Sequence, residues 1–129
     1  MMQNIFILIL SILGIAITLY ISIAHILKKK VICPINSKSC NMVLDSKYSR
    51  TLGVKNEIIG LLYYIGIVIA LFMTPGTNTI LAVKLISILA AAYSIILLMI
   101  QIRVLKNYCS WCITTAIINI LLSISILRL

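Results

Sequence analysis

Charged side chains are scarce in this sequence, and acidic ones are almost absent. Only 10% of the 129 residues are charged, with eleven Lys or Arg against two Asp or Glu. A soluble globular domain averages about 25% charged residues and about 45–50% apolar ones. Here 63% of the residues are hydrophobic, and the mean hydropathy is +1.22. The composition excludes an ordinary soluble domain and predicts an integral membrane protein, with residues 1–129 forming a single domain.

The net charge of +9 is not accompanied by the aromatic residues that a nucleic-acid surface requires. Aromatic residues make up 7% of the chain, and no basic stripe interleaves with them as such surfaces need. Most Lys and Arg residues instead flank apolar segments, where they act as interfacial anchors and topology signals. We therefore expect membrane lipid as the surrounding partner and no nucleic acid.

The first apolar segment, residues 4–27, lacks the features of a removable signal peptide. No basic region precedes it, and no small-residue cleavage site follows it. At 1.5 Å per residue the segment is roughly 35 Å long, which is enough to cross the hydrocarbon core of a bilayer. Gly14, Ala16 and Ala24 are small enough for close helix contact. This segment is predicted to be a retained transmembrane helix, with His25 as an interfacial polar residue or a redox or proton-transfer group.

Three further apolar segments follow, at residues 57–73, 80–102 and 109–127. The second segment contains Gly60 and Gly66, which we expect to allow close packing. The only long polar stretch is residues 31–56, and its apolar residues recur near helical spacing between Asn41 and Leu52. The predicted fold class is all-α: an integral membrane four-helix bundle with a short amphipathic surface helix in the first loop.

The four cysteines form two local pairs, Cys33 with Cys40 in the polar loop and Cys109 with Cys112 at the start of the fourth segment. Four membrane crossings place both pairs on the same side. Cysteines three apart on a helix lie on one face, and the first one at a helix start has a stabilised thiolate. The pattern predicts two dithiol pairs that pass electrons between them.

Two non-redox interpretations of the cysteines remain open. Zinc sites usually present two short C-x2-4-C pairs, and only Cys109 and Cys112 have that spacing, so no metal is predicted. A four-cysteine zinc site or static disulfides in a non-enzymatic four-helix membrane protein is the alternative.

Several residues form one pattern along the chain: Cys33 and Cys40 with six residues between them, the residues 43–46 (VLDS) with Tyr48, Gly60 in the second segment, and Gln101 eight residues before the pair Cys109 and Cys112. With this pattern the sequence resembles the vitamin K epoxide reductase family. The resemblance covers nearly the whole chain. Microbial members of this family are membrane thiol oxidases that make protein disulfides.

The resemblance implies a role for each matched residue. Cys112 would be the thiol nearest the quinone, and Cys109 would exchange disulfides with a loop cysteine. Cys33 and Cys40 would form the shuttle pair that meets a thioredoxin-like partner. Ser46 would lie close to the redox centre, although helix capping or surface solvation explains a serine there equally well.

The resemblance also implies a cofactor-binding set composed of Asn56, Gly60, Tyr63 and Ala116. Asn56 would hydrogen-bond the quinone, with capping of the second helix as its alternative role. Tyr63 lines either the quinone pocket or the aromatic belt. Ala116 stands where animal members carry a tyrosine, which favours an ordinary membrane quinone, such as menaquinone or ubiquinone, over vitamin K epoxide.

Two expectations concern the surroundings of the protein. The thioredoxin-like domain that is fused to microbial members is absent from this sequence, so the redox partner is expected to be a separate protein. Short loops rich in Lys and Arg stay cytoplasmic, and nine of the eleven basic residues belong to the cysteine side. The charge pattern therefore predicts a multi-pass protein of the cell membrane with its cysteines facing the cytoplasm.

Overall fold

The computed structural model of the chain describes residues 2–27, 29, 32, 41–42, 50–51, 54–73, 77–106 and 109–128. Within these residues the chain forms four long helices, which confirms the predicted fold class. They are α1 (Met2–Ile26), α2 (Asn56–Phe72), α3 (Thr77–Ile100) and α4 (Ser110–Leu127). Helix α3 continues into a π-helical turn, Gln101–Leu105, which ends at Lys106 with a left-handed φ of 52°.

Three of the helices in the described part of the chain are long and apolar enough to cross a membrane. The apolar spans are Asn4–Ile26, Asn78–Val104 and Ser110–Leu127, with 23, 27 and 18 residues. Helix α2 is equally apolar but has 17 residues, at the lower end of the range of about 17–25 that spans a bilayer. The chain is therefore a multi-pass membrane protein.

A short hairpin leads into α2, where β1 (Arg50–Thr51) pairs antiparallel with β2 (Val54–Lys55). The predicted surface helix over residues 41–52 is wrong at its end, because Arg50 and Thr51 are extended. Pairing of β1 with β2 satisfies backbone groups locally, and Thr51 is β-branched, which favours a strand. Asn41 and Met42 are helical, and residues 43–49 lie outside the described residues.

Close helix packing centres on Gly14 of α1. A Cβ atom added there would lie 2.5 Å from the ring of Tyr64 on α2, so only glycine allows this contact. Tyr64 is 1% exposed and packs in a core cluster with Ile7, Leu122 and other apolar residues. The expected packing roles of Ala16 and Gly66 are wrong, because both are exposed, and a Cβ at Gly66 would meet nothing within 4 Å.

Candidate redox site and central pocket

The dithiol pair forms the N-terminal end of α4. Cys109 is the N-cap residue with extended φ and ψ of −110° and 111°, and its sulfur accepts a hydrogen bond from the Cys112 N–H at 3.2 Å. A sulfur atom thus fills the capping position that oxygen side chains usually fill. Both residues are thiols in this structure. The spacing of three residues brings their side chains together at a helix start, as the sequence predicts.

The two cysteines differ in their surroundings. Cys109 is fully buried against Ile21 and Ala24 of α1, whereas Cys112 lines the central pocket described below. A hydrogen bond from the Cys112 thiol lowers the pKa of Cys109, burial opposes this change, and backbone N–H groups of Cys112 and Trp111 reinforce it. Cys109 is therefore the thiol that ionises more readily, as expected at the positive end of a helix.

Gln101 fixes the backbone of the dithiol from the π-helical turn that follows α3. Its side-chain oxygen accepts a hydrogen bond from the Cys109 N–H at 3.0 Å, and the residue is only 2% exposed. Single π-helical turns are rare and occur frequently at functional sites. This turn brings the end of α3 against the start of α4.

A central pocket of about 190 Å³ lies between the four helices, and Cys112 is one of its lining residues. It contains all four residues predicted to bind a quinone, namely Asn56, Gly60, Tyr63 and Ala116. Each of the four helices contributes to its mainly apolar wall, for example through Ile21 of α1, Ile59 of α2, Leu97 of α3 and Ala116 of α4. The structure thus brings the predicted binding residues and Cys112 together, although their roles stay predictions.

A hydrogen-bonded chain of polar side chains crosses the pocket wall. The Tyr64 hydroxyl donates to the Asn119 side-chain oxygen at 2.5 Å, and the Asn119 amide donates to the Ser94 hydroxyl at 2.6 Å. These residues connect α2, α4 and α3. The sequence analysis did not identify Asn119 or Ser94, although polar side chains inside apolar spans are a signal of buried function.

Asn56 is not the cap of α2. The N-cap is Lys55, without a capping side-chain hydrogen bond, and Asn56 is the first helical residue. Its side-chain oxygen accepts a hydrogen bond from the Tyr93 hydroxyl of α3 at 3.3 Å. The alternative capping role is therefore wrong, and Asn56 instead links two helices at the pocket.

Two hydrogen-bond donors in the pocket wall have no partner among the described residues. They are the side-chain amide nitrogen of Gln101 and the hydroxyl of Tyr63. Buried polar groups are nearly always satisfied by protein, water or a ligand. Both residues line the pocket, and their donor atoms are buried without a described partner, so they are candidates to bind an acceptor-bearing molecule there.

His25 and Glu57 form a hydrogen-bonded pair between α1 and α2. The His25 Nδ1 atom contacts a Glu57 carboxylate oxygen, and the two side chains are only 10% and 4% exposed. His25 is therefore not a simple interfacial residue. The sequence analysis attached no role to Glu57, although it is one of only two acidic residues in the chain.

Trp111, which lies between the two cysteines in sequence, holds the start of the polar loop. Its indole N–H donates to the Ile32 carbonyl at 2.9 Å, and the Ile32 N–H donates to the Tyr20 hydroxyl at 2.9 Å. The Tyr20 and Trp111 rings meet edge to face, with centroids 6.1 Å apart. Trp111 is thus half-buried and hydrogen-bonded to the backbone of the loop.

The loop residues Cys33, Cys40 and Ser46 lie outside the described residues, as do Tyr48 and Tyr108. Cys33 follows Ile32 directly in the sequence. Within the described ranges, no group of three or more His, Cys, Asp or Glu side chains is arranged to hold a metal ion. This finding leaves the four-cysteine zinc alternative untested.

Comparison with known proteins agrees with the site geometry. No curated protein matches the chain significantly. A family model does match, over residues 5–127, and it describes the vitamin K epoxide reductase family. Because this match covers nearly the entire sequence and includes both cysteines of the dithiol and all the helices of the pocket, the chain belongs to the vitamin K epoxide reductase family.

Proposed function

We propose that this protein is a quinone-dependent thiol:disulfide oxidoreductase. The observation that carries the proposal is the position of Cys112, which lines an apolar pocket that also contains two donors without a described partner. A membrane redox role fits the family. The specific reaction is the formation of a disulfide in a thioredoxin-like protein, coupled to reduction of a membrane quinone.

The pocket suits a quinone on chemical grounds. A quinone has a flat apolar ring and two carbonyl oxygens, each of which accepts hydrogen bonds. Gln101 and Tyr63 offer the two unpartnered donors, and Asn56, Gly60 and Ala116 belong to the same wall. Each neutral hydrogen bond would contribute about 0.5–1.5 kcal/mol of net binding. A mainly apolar cavity with a few polar groups is the usual form of a small-molecule site.

The dithiol releases as many electrons and protons on oxidation as a quinone takes up on reduction. Oxidation of Cys109 and Cys112 forms one S–S bond and releases two electrons and two protons, which together convert a quinone into a quinol. The lowered pKa of Cys109 favours its thiolate, the form that takes part in disulfide exchange. Cys109 is thus suited to exchange with a protein disulfide, and Cys112 to electron transfer in the pocket.

The loop pair Cys33 and Cys40 is proposed to shuttle electrons from the partner protein to this dithiol. Support comes from Ile32, which precedes Cys33 and is bonded to Trp111 at the dithiol. The start of the loop is therefore held at the C-x-x-C pair. Exchange transfers a disulfide from Cys109 and Cys112 to the loop pair, and then to the partner, without net loss of electrons. Ser46 is proposed to lie close to this exchange.

The experiment that tests the function is anaerobic quinone reduction by the purified protein with dithiothreitol as donor. Wild-type protein should reduce a short-chain ubiquinone or menaquinone analogue catalytically, and Cys112→Ala should abolish turnover. A matched control is Ser123→Ala, a buried polar residue of the same helix that does not line the pocket. Turnover retained in the Cys112→Ala variant would contradict the assignment, and an inactive wild-type protein would favour the non-enzymatic alternative.

A further inference from the structure

Glu57 is a buried carboxyl group in the wall of an apolar pocket, beside the redox dithiol. Its side chain is 4% exposed, and it lines the central pocket together with Cys112. Taking a carboxylate out of water is costly, and a buried pair with histidine is weak evidence for stability. An ionisable residue within a membrane span is instead a functional candidate by default.

The titratable groups at the pocket come from all the helices of the site. Within the described part of the chain, His25 of α1 pairs directly with Glu57. Tyr93 of α3, Cys112 of α4, and Tyr63 and Tyr64 of α2 line the same pocket as Glu57. His25 forms a hydrogen bond with the carboxylate but is not a lining residue of the pocket. It therefore contacts Glu57 from outside the pocket lining.

A chemical requirement of the proposed reaction points to the same residue. Two protons must leave the dithiol when its S–S bond forms, and the pocket is mainly apolar. Water is a poor carrier there because few polar groups exist to hold it. A carboxylate that lines the same cavity as the thiol can accept a proton and release it again.

We propose that Glu57 accepts the proton of the Cys112 thiol and delivers it to an oxygen of the bound quinone, with His25 as a positioning residue. This inference rests on the proposed function. The Cys109 proton goes to the aqueous face, and the second quinol proton is taken from there. Two electrons and two protons thus leave the dithiol, two of each reach the quinone, and Glu57 ends in its initial state.

One test follows the carboxyl group without any quinone. Infrared difference spectra compare the protein in its disulfide and dithiol forms, poised with oxidised and reduced dithiothreitol. Without a quinone the proton that Glu57 takes from Cys112 is not passed on, so the disulfide form of the wild-type protein should show a carboxyl C=O band that shifts in D2O and is lost in Glu57→Gln. The control Asp45→Asn removes the only other acidic side chain and should keep the band. A wild-type spectrum without a carboxyl band would overturn the proposal.

A second test measures the transfer itself in a single turnover of pre-reduced protein with a short-chain ubiquinone. Glu57→Gln should slow dithiol oxidation by about 100-fold or more, as for other lost acid–base groups, and should change the solvent deuterium isotope effect. Glu57→Asp should recover part of the rate. For the positioning role, His25→Gln retains a donor and should be faster than His25→Leu.

The outcomes separate this inference from the proposed function. If wild-type protein leaves the quinone unreduced, the proposed function fails and takes the role of Glu57 with it. If wild-type protein reduces the quinone and Glu57→Gln does so at the same rate and with the same isotope effect, only the role of Glu57 fails. Because the wild-type infrared spectrum needs no variant, poor folding of Glu57→Gln would still leave the inference testable.

Discussion

The side-chain oxygen of Gln101 accepts a hydrogen bond from the backbone N–H of Cys109 at 3.0 Å. This contact joins the π-helical turn after α3 to the first residue of the redox dithiol. The amide nitrogen of the same side chain has no partner among the described residues, and Gln101 lines the central pocket. One buried side chain of the pocket lining therefore binds the dithiol backbone with its oxygen and has a buried amide nitrogen without a described partner.

Substitutions of Gln101 should separate its structural role, the hydrogen bond to the Cys109 N–H, from its proposed role as a donor to the quinone. Gln101→Leu leaves the buried Cys109 N–H unsatisfied, so we expect the free energy of unfolding to fall by about 1–3 kcal/mol. Gln101→Glu keeps the acceptor for Cys109 but removes the donor, so the quinone KM should rise several-fold with smaller loss of stability. Thermal unfolding and steady-state kinetics measure the two effects, and an unchanged KM in both variants would exclude Gln101 from quinone binding.

The ionisation of Cys109 should depend on Cys112. The hydrogen bond from the Cys112 thiol is the largest cause of the lowered pKa of Cys109. In a Cys33→Ala/Cys40→Ala background, Cys112→Ala should therefore raise the pH at which the Cys109 thiolate forms, because the charged form loses its donor. Ultraviolet absorbance of the thiolate during a pH titration measures this change. The same titration midpoint with and without Cys112 would contradict the assigned cause.

The loop cysteines should matter mainly for a protein substrate. Replacement of both Cys33 and Cys40 by alanine should stop oxidation of a reduced thioredoxin-like protein. Oxidation of dithiothreitol should partly survive, because a small thiol can exchange with the dithiol at the part-buried Cys112 without the loop. Parallel assays with the two donors on the same preparation make the comparison, and equal loss of both activities would refute the shuttle.

Asn56 is predicted to donate a hydrogen bond to the quinone through its amide nitrogen. Loss of one neutral hydrogen bond of about 0.5–1.5 kcal/mol should raise the quinone KM several-fold in Asn56→Ala. The structure supplies a matched control in Tyr93→Phe, which removes only the hydroxyl that donates to the Asn56 oxygen. Tyr93→Phe should raise the quinone KM less than Asn56→Ala does. If the two variants have the same effect, the role of Asn56 is to pack α2 against α3.

The orientation in the membrane is predicted from the distribution of Lys and Arg. Nine basic residues are predicted to lie on the cysteine side, namely Lys28, Lys29, Lys30, Lys38, Lys47, Arg50, Lys55, Arg103 and Lys106, and Lys84 and Arg128 are predicted to lie on the opposite side. The cysteines should therefore face the cytoplasm. Disulfides are normally made outside the cytoplasm, with hyperthermophile interiors as an exception.

Thiol labelling in intact cells of the native host tests this orientation. A membrane-impermeant reagent should label reduced Cys33 and Cys40 only after lysis. A permeant reagent on the same cells provides the control that both thiols are reactive. Labelling by the impermeant reagent without lysis would place the cysteines outside.

The helices and the dithiol could be predicted from the sequence because their signals are local. Long apolar runs determine where α1, α3 and α4 lie, and the C-x-x-C spacing determines which two thiols meet. The His25–Glu57 pair and the chain from Tyr64 through Asn119 to Ser94 join residues that are far apart in sequence. Such contacts depend on helix rotation and register, which a periodic apolar pattern does not determine when most faces of a membrane helix are apolar.

The hairpin of β1 and β2 was missed for a different reason. Apolar residues between Asn41 and Leu52 recur near helical spacing, which predicts a helix. A strand of two residues is too short to show the alternation of apolar and polar residues that would predict a strand. The roles of Gly66 and Ala16 were mispredicted because small residues occur on lipid-facing as well as helix-facing surfaces. Contacts in the folded structure, such as that of Gly14 with Tyr64, distinguish the two cases.

The position of Trp111 gives this protein an internal optical reporter. It is the only tryptophan in the chain, it lies between the two redox cysteines, and its indole N–H is bonded to Ile32 at the start of the loop. Indole emission is quenched by a neighbouring disulfide and changes when its hydrogen bond breaks. The fluorescence of the unlabelled protein should therefore report both the redox state of the dithiol and the release of the loop, in real time and within a membrane.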